Sequence, residues 1–416
     1  MARLADEIHA QHADEAAFLW GLRAAAAGDV AYDLKSLAGL DERLEAHLDG
    51  LRVGGADAME TARAELEGGE VGEVFVAATI AIDRSDARSF ARVLDVAGGD
   101  PKLSRGIVSG LAWSAPERVG KVAAALLDPR CPEPLRGFGV DACVAHGRDP
   151  GAALGRAFLG RDVRLRACAA HAVGALGKAD LLPEVDKELA AGDPGSRLAA
   201  ASTAAMFGRR GGAEALLALA TQPGAEAADA ADLAMRGIDV AAAVTWIPTF
   251  EREAGPRVAL AAAGALGDPS MIPWILDCAA EPAMARCAAF AFSLITGIDL
   301  AAARLTAKAP PGFVAGPTDH PDDEDVELDP DAELPWPDLE ALRPRWETIA
   351  ARFPHGVRHL AGMPMDEPGW LMTVLRQSNQ RVRRAAATEM AFRQPTDGVF
   401  EVRAPVVRQT RLLARR

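Results

Sequence analysis

The sequence predicts an all-α fold, an α-solenoid of antiparallel helix pairs with a helical cap at each end. A short phrase recurs along the middle of the chain, apolar residues are spaced as they are on helices, and aromatic residues form only 5% of a chain that is 50% hydrophobic. Such a core has to be packed from Ala, Leu and Val at close helix separations. Repeats of about 20–50 residues whose apolar faces are buried only by their neighbours are typical of solenoids.

Residues 1–70 are predicted to form the N-terminal helical cap. A first amphipathic helix that ends near Gly28 is indicated by Leu4, Ile8, Phe18, Leu19 and Leu22. A second helical stripe, which steps by three and four residues and stops at Gly54-Gly55, is formed by Leu37, Leu40, Leu44, Leu48 and Leu51. We expect these helices to cover the open face of the first repeat.

Residues 71–300 are predicted to form the repeat array. The clearer repeats begin with an acid and Pro, have an Arg a few residues on, and continue through an alanine-rich stretch to Gly. The starts at residues 100, 133, 193 and 281 carry both the acid and Pro, the start at 162 has only the acid, and the start at 256 has only Pro. A degenerate copy lies near Ala225 to Gly237. The acid is expected to cap the helix N-terminus, Pro is tolerated after it because its missing N–H would be unpaired anyway, and Gly supplies the left-handed residue that ends the helix, as expected of Gly147, Gly174, Gly208, Gly267 and Gly297.

The recurring Arg is the main candidate for a binding surface, and its copies are Arg105, Arg136, Arg166, Arg197, Arg257 and Arg286. A cation near a helix N-terminus is disfavoured by a few tenths to about 1 kcal/mol, so its recurrence implies a partner. We expect N-cap acids of the same or adjacent repeats to pair with these residues. We also expect the Arg-bearing helices to line a concave face that holds another protein.

Residues 301–335 are predicted to form an acidic, Pro-rich linker. Its carboxylates lie between Asp319 and Glu333 and include Asp322, Asp323, Glu324 and Asp325. Three interpretations remain open: a solvated linker or a strap over an Arg-lined groove, a docking strip for a basic partner, and a Ca²⁺ loop. The segment lacks the spacing of an EF-hand, which is therefore excluded.

Residues 336–416 are predicted to form a C-terminal helical cap with a basic tail. Residues 335–416 hold 14 Arg and 8 acidic residues, whereas residues 1–334 hold 31 basic and 51 acidic residues. The tail either folds back on the acidic body, is disordered, or binds an acidic surface; its cations are Arg403, Arg408, Arg411, Arg415 and Arg416. The acidic body should repel nucleic acid and anionic membranes.

Further patterns limit the function. No apolar stretch is long enough to span a bilayer, and Met1 to Glu15 lacks the pattern of a secretory signal. The five cysteines form no C-x-x-C pair, which favours the cytoplasm over an oxidising compartment. The histidine pairs His9 with His12 and His355 with His359 lack further ligand motifs, so we expect no metal and no cofactor. We find no nucleophile or phosphate-binding motif, so an enzyme is not expected.

The repeat phrase is similar to bacterial HEAT repeats, including those of phycobilin lyases; it is clearest from Asp193 to Gly208 and from Arg257 to Gly267. More narrowly, the chain resembles a proteobacterial HEAT-repeat family often encoded near type VI secretion components, by its segments 15–20, 40–51 and 334–337. The resemblance covers nearly the whole chain and implies a solenoid of HEAT-like helix pairs. It brings no catalytic residues with it.

The sequence therefore predicts a cytoplasmic, non-enzymatic scaffold or adaptor that binds another protein. The resemblance implies that this partner is a type VI secretion component or effector. The alternative is a HEAT-like nucleic-acid-binding protein or DNA glycosylase, which requires a basic channel and stacking aromatic residues. The acidic body disfavours this alternative.

Overall fold

The computed structural model describes residues 2–316 and 328–415. Within these ranges the chain is all-α, as predicted, apart from one two-stranded hairpin. It divides into two compact units. The N-terminal unit is formed by Met1–Thr203 together with Arg376–Arg416, and the central unit by Ala204–Leu375. The predictions for Asp322, Asp323, Glu324 and Asp325 concern residues outside the described ranges.

The helices of the first half of the chain are short except for two at its start. They are α1 (Ala2–Ala26), α2 (Leu34–Glu65), α3 (Val71–Asp83), α4 (Ala87–Ala97), α5 (Ser104–Trp113), α6 (Pro116–Leu126), α7 (Glu133–Ala145), α8 (Ala152–Ala157), α9 (Val163–Ala175), α10 (Leu182–Glu188) and α11 (Pro194–Met206). The division between the units falls inside α11. Short 3₁₀ helices occupy Leu66–Gly68 and Ala179–Leu181.

The second half continues the same pattern and then becomes less regular. Its elements are α12 (Arg210–Ala220), α13 (Ala227–Gly237), α14 (Val240–Glu253), α15 (Pro256–Leu266), α16 (Ile272–Cys278), α17 (Pro282–Thr296), α18 (Leu339–Ile349), strands β1 (His359–Leu360) and β2 (Met363–Pro364), α19 (Trp370–Gln377), α20 (Gln380–Arg393) and α21 (Val406–Leu413). The strands pair antiparallel. Short 3₁₀ helices occupy Pro269–Met271, Ala350–Arg352 and Pro395–Asp397.

Within each unit the helices stack as the repeat phrase predicts. In the N-terminal unit α3, α5, α7 and α9 lie side by side, α6 packs on α7, and both α8 and α10 pack on α9. In the central unit α13, α15 and α17 form the corresponding layer, against which α12, α14 and α16 pack. Glycine allows a close approach of α3 and α5: a Cβ built on Gly106 would lie 2.6 Å from the Val71 carbonyl oxygen. The backbones of α3 and α5 therefore nearly touch, as small residues at a helix interface permit.

The N-terminal cap contains one confirmed stripe and one wrong one. The five predicted leucines of α2 are all buried, and this helix kinks at Gly55, where φ is 66°. On α1, however, Phe18 is 66% exposed and Ile8 is 46% exposed. The buried apolar residues of α1 are instead Ala13, Ala16, Leu19 and Ala26. Large apolar residues misled the prediction because a close helix contact selects alanine.

The predicted caps hold at several repeats and fail at three positions, Glu133, Gly174 and Glu281, the last of which makes no side-chain cap hydrogen bond. Asp162 Oδ1 accepts the Leu165 N–H at 2.8 Å, and Gly267 ends α15 with φ 73°. Glu133 is instead the first residue of α7, and its carboxylate accepts N–H groups from Arg161 and Asp162 at 2.7 and 3.0 Å. A longer acidic side chain reaches across to the next repeat rather than capping its own helix. Gly174 is wrong as a helix end, because it is buried within α9.

The basic tail folds back within the N-terminal unit, one of the outcomes that the sequence left open. The Val399 N–H donates to the Ala175 carbonyl at the end of α9. Arg408 donates to the carbonyls of Ala112 and Ala145, near the ends of α5 and α7. The segment from Val399 to Arg408, which we call the return segment, thus supplies hydrogen bonds to backbone carbonyls near the ends of three stacked helices.

Candidate functional site

A cleft of about 300 Å³ lies over α5, α7 and α9 in the N-terminal unit. We call it the arginine cleft, because Arg23, Arg105, Arg403 and Arg408 line it together with Trp20 and Trp113. Its base is supplied by the layer of Arg-bearing helices that the sequence predicted to form a binding face. The return segment and α1 form the remaining walls.

Helical spacing places one row of side chains in the cleft. Arg105, Ser109 and Trp113 follow one another at intervals of four residues on α5, so they share one face of that helix. Asp141 and Val144 contribute from α7, and His171 contributes from α9. The repeat register therefore brings equivalent faces of three helices to one surface.

Aromatic contacts fix the apolar wall of the cleft. Trp20 stacks on Phe75 with ring centroids 5.7 Å apart, and Phe75 meets Trp113 edge-on at 5.9 Å. The Trp113 Nε1–H donates to Glu45 at 2.6 Å, which satisfies its polar atom. Aromatic pairs in these geometries are favourable beyond the area that they bury. The wall is consequently held in one arrangement before any ligand arrives.

Two of the four arginines are structural. The Arg23 guanidinium pairs with Asp41 at 2.8 Å and donates to the Ala404 carbonyl at 2.9 Å. Arg408 binds the backbone carbonyls of Ala112 and Ala145, and its burial lowers its pKa to about 10, with a further contribution from the positive charge of Arg411. Both side chains hold the return segment in place. Neither has its main donors available for a ligand.

The other two arginines face the cleft with unused donors. Arg105 and Arg403 are exposed, and neither side chain makes a hydrogen bond or an ion pair with any described residue. Loss of water around its guanidinium lowers the pKa of Arg403; Glu401 opposes this shift, whereas the positive charges of Arg384, Arg105 and Arg23 add to it. Such a cluster of like charges is relieved by an anion.

A cysteine near the cleft is not a ready nucleophile. Cys168 lies 3.7 Å from Asp141, whose carboxylate also accepts from Arg164 at 2.9 Å. Burial, followed by the charge of Asp141, raises the pKa of the Cys168 thiol well above its usual value. A nucleophilic cysteine requires the opposite environment, one that stabilises the thiolate. Cys168 is therefore not activated for nucleophilic attack.

The predicted ladder of N-cap acids and arginines is wrong where its contacts can be traced. Arg136 donates to the carbonyls of Cys131 and Pro129 at 2.7 and 2.8 Å. Arg166 pairs with Glu188 at 3.1 Å and donates to the Gly160 carbonyl. The preceding loop offers unpaired carbonyls close to each guanidinium, while an N-cap carboxylate already accepts backbone N–H groups. Arg197 is half-buried on α11.

In the central unit the repeat arginines hold the described end of the acidic segment. Arg257 Nη1 lies 2.8 Å from both carboxylate oxygens of Asp331, and Arg286 binds both oxygens of Asp329 at 2.6 and 2.8 Å. Arg286 also lies over the Trp336 ring, 4.7 Å from its centroid. Residues 328–334 therefore form a strap over Arg side chains, the first of the three interpretations above.

The histidines that the sequence grouped by spacing make other contacts in the structure. His359 is buried and its Nδ1 contacts the Val357 carbonyl at 2.8 Å. His12 contacts His47 on α2, a pairing that the spacing of His9 and His12 did not indicate. Across the described ranges, no group of three or more His, Cys, Asp or Glu side chains could hold a metal ion.

No helix within residues 2–316 and 328–415 is both long and apolar enough to cross a membrane. Comparison with protein-family models, with curated proteins and with solved structures found no match to this chain.

Proposed function

We propose that the protein is a non-enzymatic interaction scaffold or adaptor that binds an acidic, extended segment of a protein partner in the arginine cleft. The observation that carries the proposal is the pair of unused guanidinium groups, Arg105 and Arg403, beside a preformed aromatic wall. Guanidinium groups bind carboxylates with two parallel hydrogen bonds, which gives both affinity and orientation.

The size of the cleft supports a peptide segment as the ligand. A volume of about 300 Å³ accommodates a few side chains, not a folded domain. Trp20 and Trp113 offer an apolar surface next to the cations. A segment with acidic residues next to an apolar one would match both parts of the surface.

The strap in the central unit supports an acidic ligand by analogy within the same chain. There the repeat arginines Arg257 and Arg286 bind Asp331 and Asp329 through two oxygens each. Trp336 packs against the Arg286 guanidinium, so an aromatic ring again accompanies the cation. Arg105 is the corresponding repeat residue in the arginine cleft, where no described carboxylate pairs with it.

The kind of protein that binds as the partner is proposed from the sequence resemblance alone. The similarity to HEAT-repeat proteins encoded near type VI secretion components suggests a secretion component or effector. We also propose a cytoplasmic location, which the resemblance and the five free cysteines support.

Direct binding tests the proposal. Fluorescence anisotropy would be measured with a labelled peptide of the Asp-Pro-Asp type flanked by apolar residues, and with a basic peptide of the same length. We expect the acidic peptide to bind and Arg105→Gln with Arg403→Gln to weaken it at least tenfold, since each charge-assisted hydrogen bond contributes about 1.5–3 kcal/mol. Binding should weaken as salt rises.

The matched control is Arg92→Gln, because Arg92 is exposed on α4 and lies outside the cleft. It should leave peptide binding unchanged. Equal binding of acidic and basic peptides would contradict the proposal, and so would insensitivity to the double substitution. Retardation of single-stranded DNA at low salt that the double substitution abolishes would favour the nucleic-acid alternative instead.

A further inference from the structure

Two histidines from different helices meet at the interface of α1 and α2. His12 Nδ1 and His47 Nδ1 are 3.2 Å apart, and their ring centroids are 5.2 Å apart with the planes inclined by 67°. Both side chains are half-buried, so solvent reaches the pair. This contact lies outside the residues that line the arginine cleft.

Glycines on α2 allow the rings of α1 to lie against its backbone. A Cβ built on Gly50 would be 2.7 Å from Cδ2 and Nε2 of His12. One turn further along α2, a Cβ built on Gly54 would be 2.4 Å from Nε2 of His9. Any larger residue at either position would displace the imidazole. The position of His12 is therefore set by the helix interface, as metal ligands need to be.

The separation of the two nitrogens fits a shared metal ion. Zinc binds imidazole nitrogen at about 2.0–2.1 Å, so two such ligands at a tetrahedral centre are about 3.3–3.4 Å apart. Imidazole is also a good ligand for Cu²⁺ and Ni²⁺. The remaining positions would be filled by water, because no third ligand of the usual types lies close enough among the described residues.

The contact between the two rings does not itself require a metal. Without a metal, one ring can donate an N–H to the other, which accounts for the same contact in the metal-free state.

We propose that His12 and His47 bind one divalent transition-metal ion of the class that prefers imidazole, Zn²⁺, Ni²⁺ or Cu²⁺, and thereby link α1 to α2. Such an ion would bind the folded chain more tightly than the unfolded one, since residues 35 positions apart come together only on folding.

Calorimetric titration of tag-free, metal-stripped protein with ZnCl₂ and NiCl₂ tests the site. We expect one ion per chain and a melting temperature that rises with metal concentration. His12→Gln and His47→Gln should each abolish both effects. His355→Gln, which changes an exposed histidine of the central unit, should change neither. Absence of binding by the parent protein, or binding that survives both substitutions, would overturn the proposal.

A measurement on the unsubstituted protein guards against variants that fold poorly. Addition of Cu²⁺ should broaden the imidazole NMR resonances of His12 and His47 first among the eight histidines. Broadening that begins at other histidines would also overturn the site.

Discussion

Arg286 is a buried cation, only 6% exposed, whose charge is balanced by the acidic strap. Its Nη1 donates to the Asp331 carbonyl at 2.9 Å and its Nη2 binds Asp329. A buried ion pair adds modest net stability, but removal of one partner leaves a charge with little solvent to compensate it. Removal of a strap carboxylate should therefore destabilise the fold by more than the intact ion pair stabilises it.

We expect Asp329→Asn to destabilise the protein by about 3 kcal/mol, because Arg286 would then be buried without a counter-charge. Urea denaturation followed by circular dichroism measures this change. Glu340→Gln, at an exposed acid on α18, is the control and should have little effect. Equal stability of the two variants would show that water replaces the Asp329 carboxylate.

Asp329 also makes the stability of the fold depend on pH. Burial favours the protonated form of Asp329, but hydrogen bonds from the Asp331 N–H and Arg286 outweigh burial and lower the pKa of this carboxyl. A carboxyl whose folded pKa lies below its unfolded value of about 3.9 stabilises the fold at neutral pH. That stability is lost as pH falls through the folded pKa. Denaturation curves between pH 7 and pH 3 should show a smaller loss for Asp329→Asn than for the parent.

At the scale of elements, glycine decides how closely α3 and α5 pack. A Cβ built on Gly110 would lie 2.8 Å from the Ala78 Cβ, closer than side chains ordinarily approach. Gly39 on α2 is helical as well, yet a Cβ added there would meet no atom within 4 Å. The two glycines share a helical conformation and differ in their surroundings.

These two positions should respond to alanine with opposite signs. Gly110→Ala should cost about 1–3 kcal/mol by overpacking the α3–α5 contact. Gly39→Ala should stabilise by up to about 1 kcal/mol, because alanine is the better helix former. Thermal unfolding of both variants checks the pair. A gain in stability for Gly110→Ala would mean that α3 and α5 can move apart without loss.

At the scale of the whole molecule, the return segment connects distant parts of the sequence within the N-terminal unit. Arg23 on α1 binds the carbonyls of Arg403 and Ala404, and the Val406 N–H donates to Asp41 at 2.6 Å. Several helix ends of this unit rely on the segment for hydrogen bonds. Its loss would leave buried polar groups without partners.

Truncation after residue 394 should therefore lower the melting temperature of the protein and raise amide hydrogen exchange in α5, α7 and α9. Deletion of residues 415 and 416 alone, beyond α21, is the control and should leave both measurements unchanged. Parent-like protection in the longer truncation would indicate that water satisfies the exposed carbonyls.

The sequence was sufficient for the repeats and insufficient for the cleft. Local capping chemistry at Asp162 and Gly267 depends on residues next to them, and the structure confirms both. The unused cations at the cleft are Arg105 on α5 and Arg403 on the return segment, which are far apart in the chain. No periodicity encodes such a contact. The pairing of His12 with His47 was missed for the same reason.

The contact between Arg23 and residues 403 and 404 also affects biosynthesis, because its partners are separated by 380 and 381 positions. These carbonyls leave the ribosome long after α1 has emerged, so the first helices wait for native partners that have not yet been made. The N-terminal unit cannot complete its folding until then. Its nascent helices have to persist while the intervening polypeptide is synthesised, which is the interval in which a chaperone would be most needed.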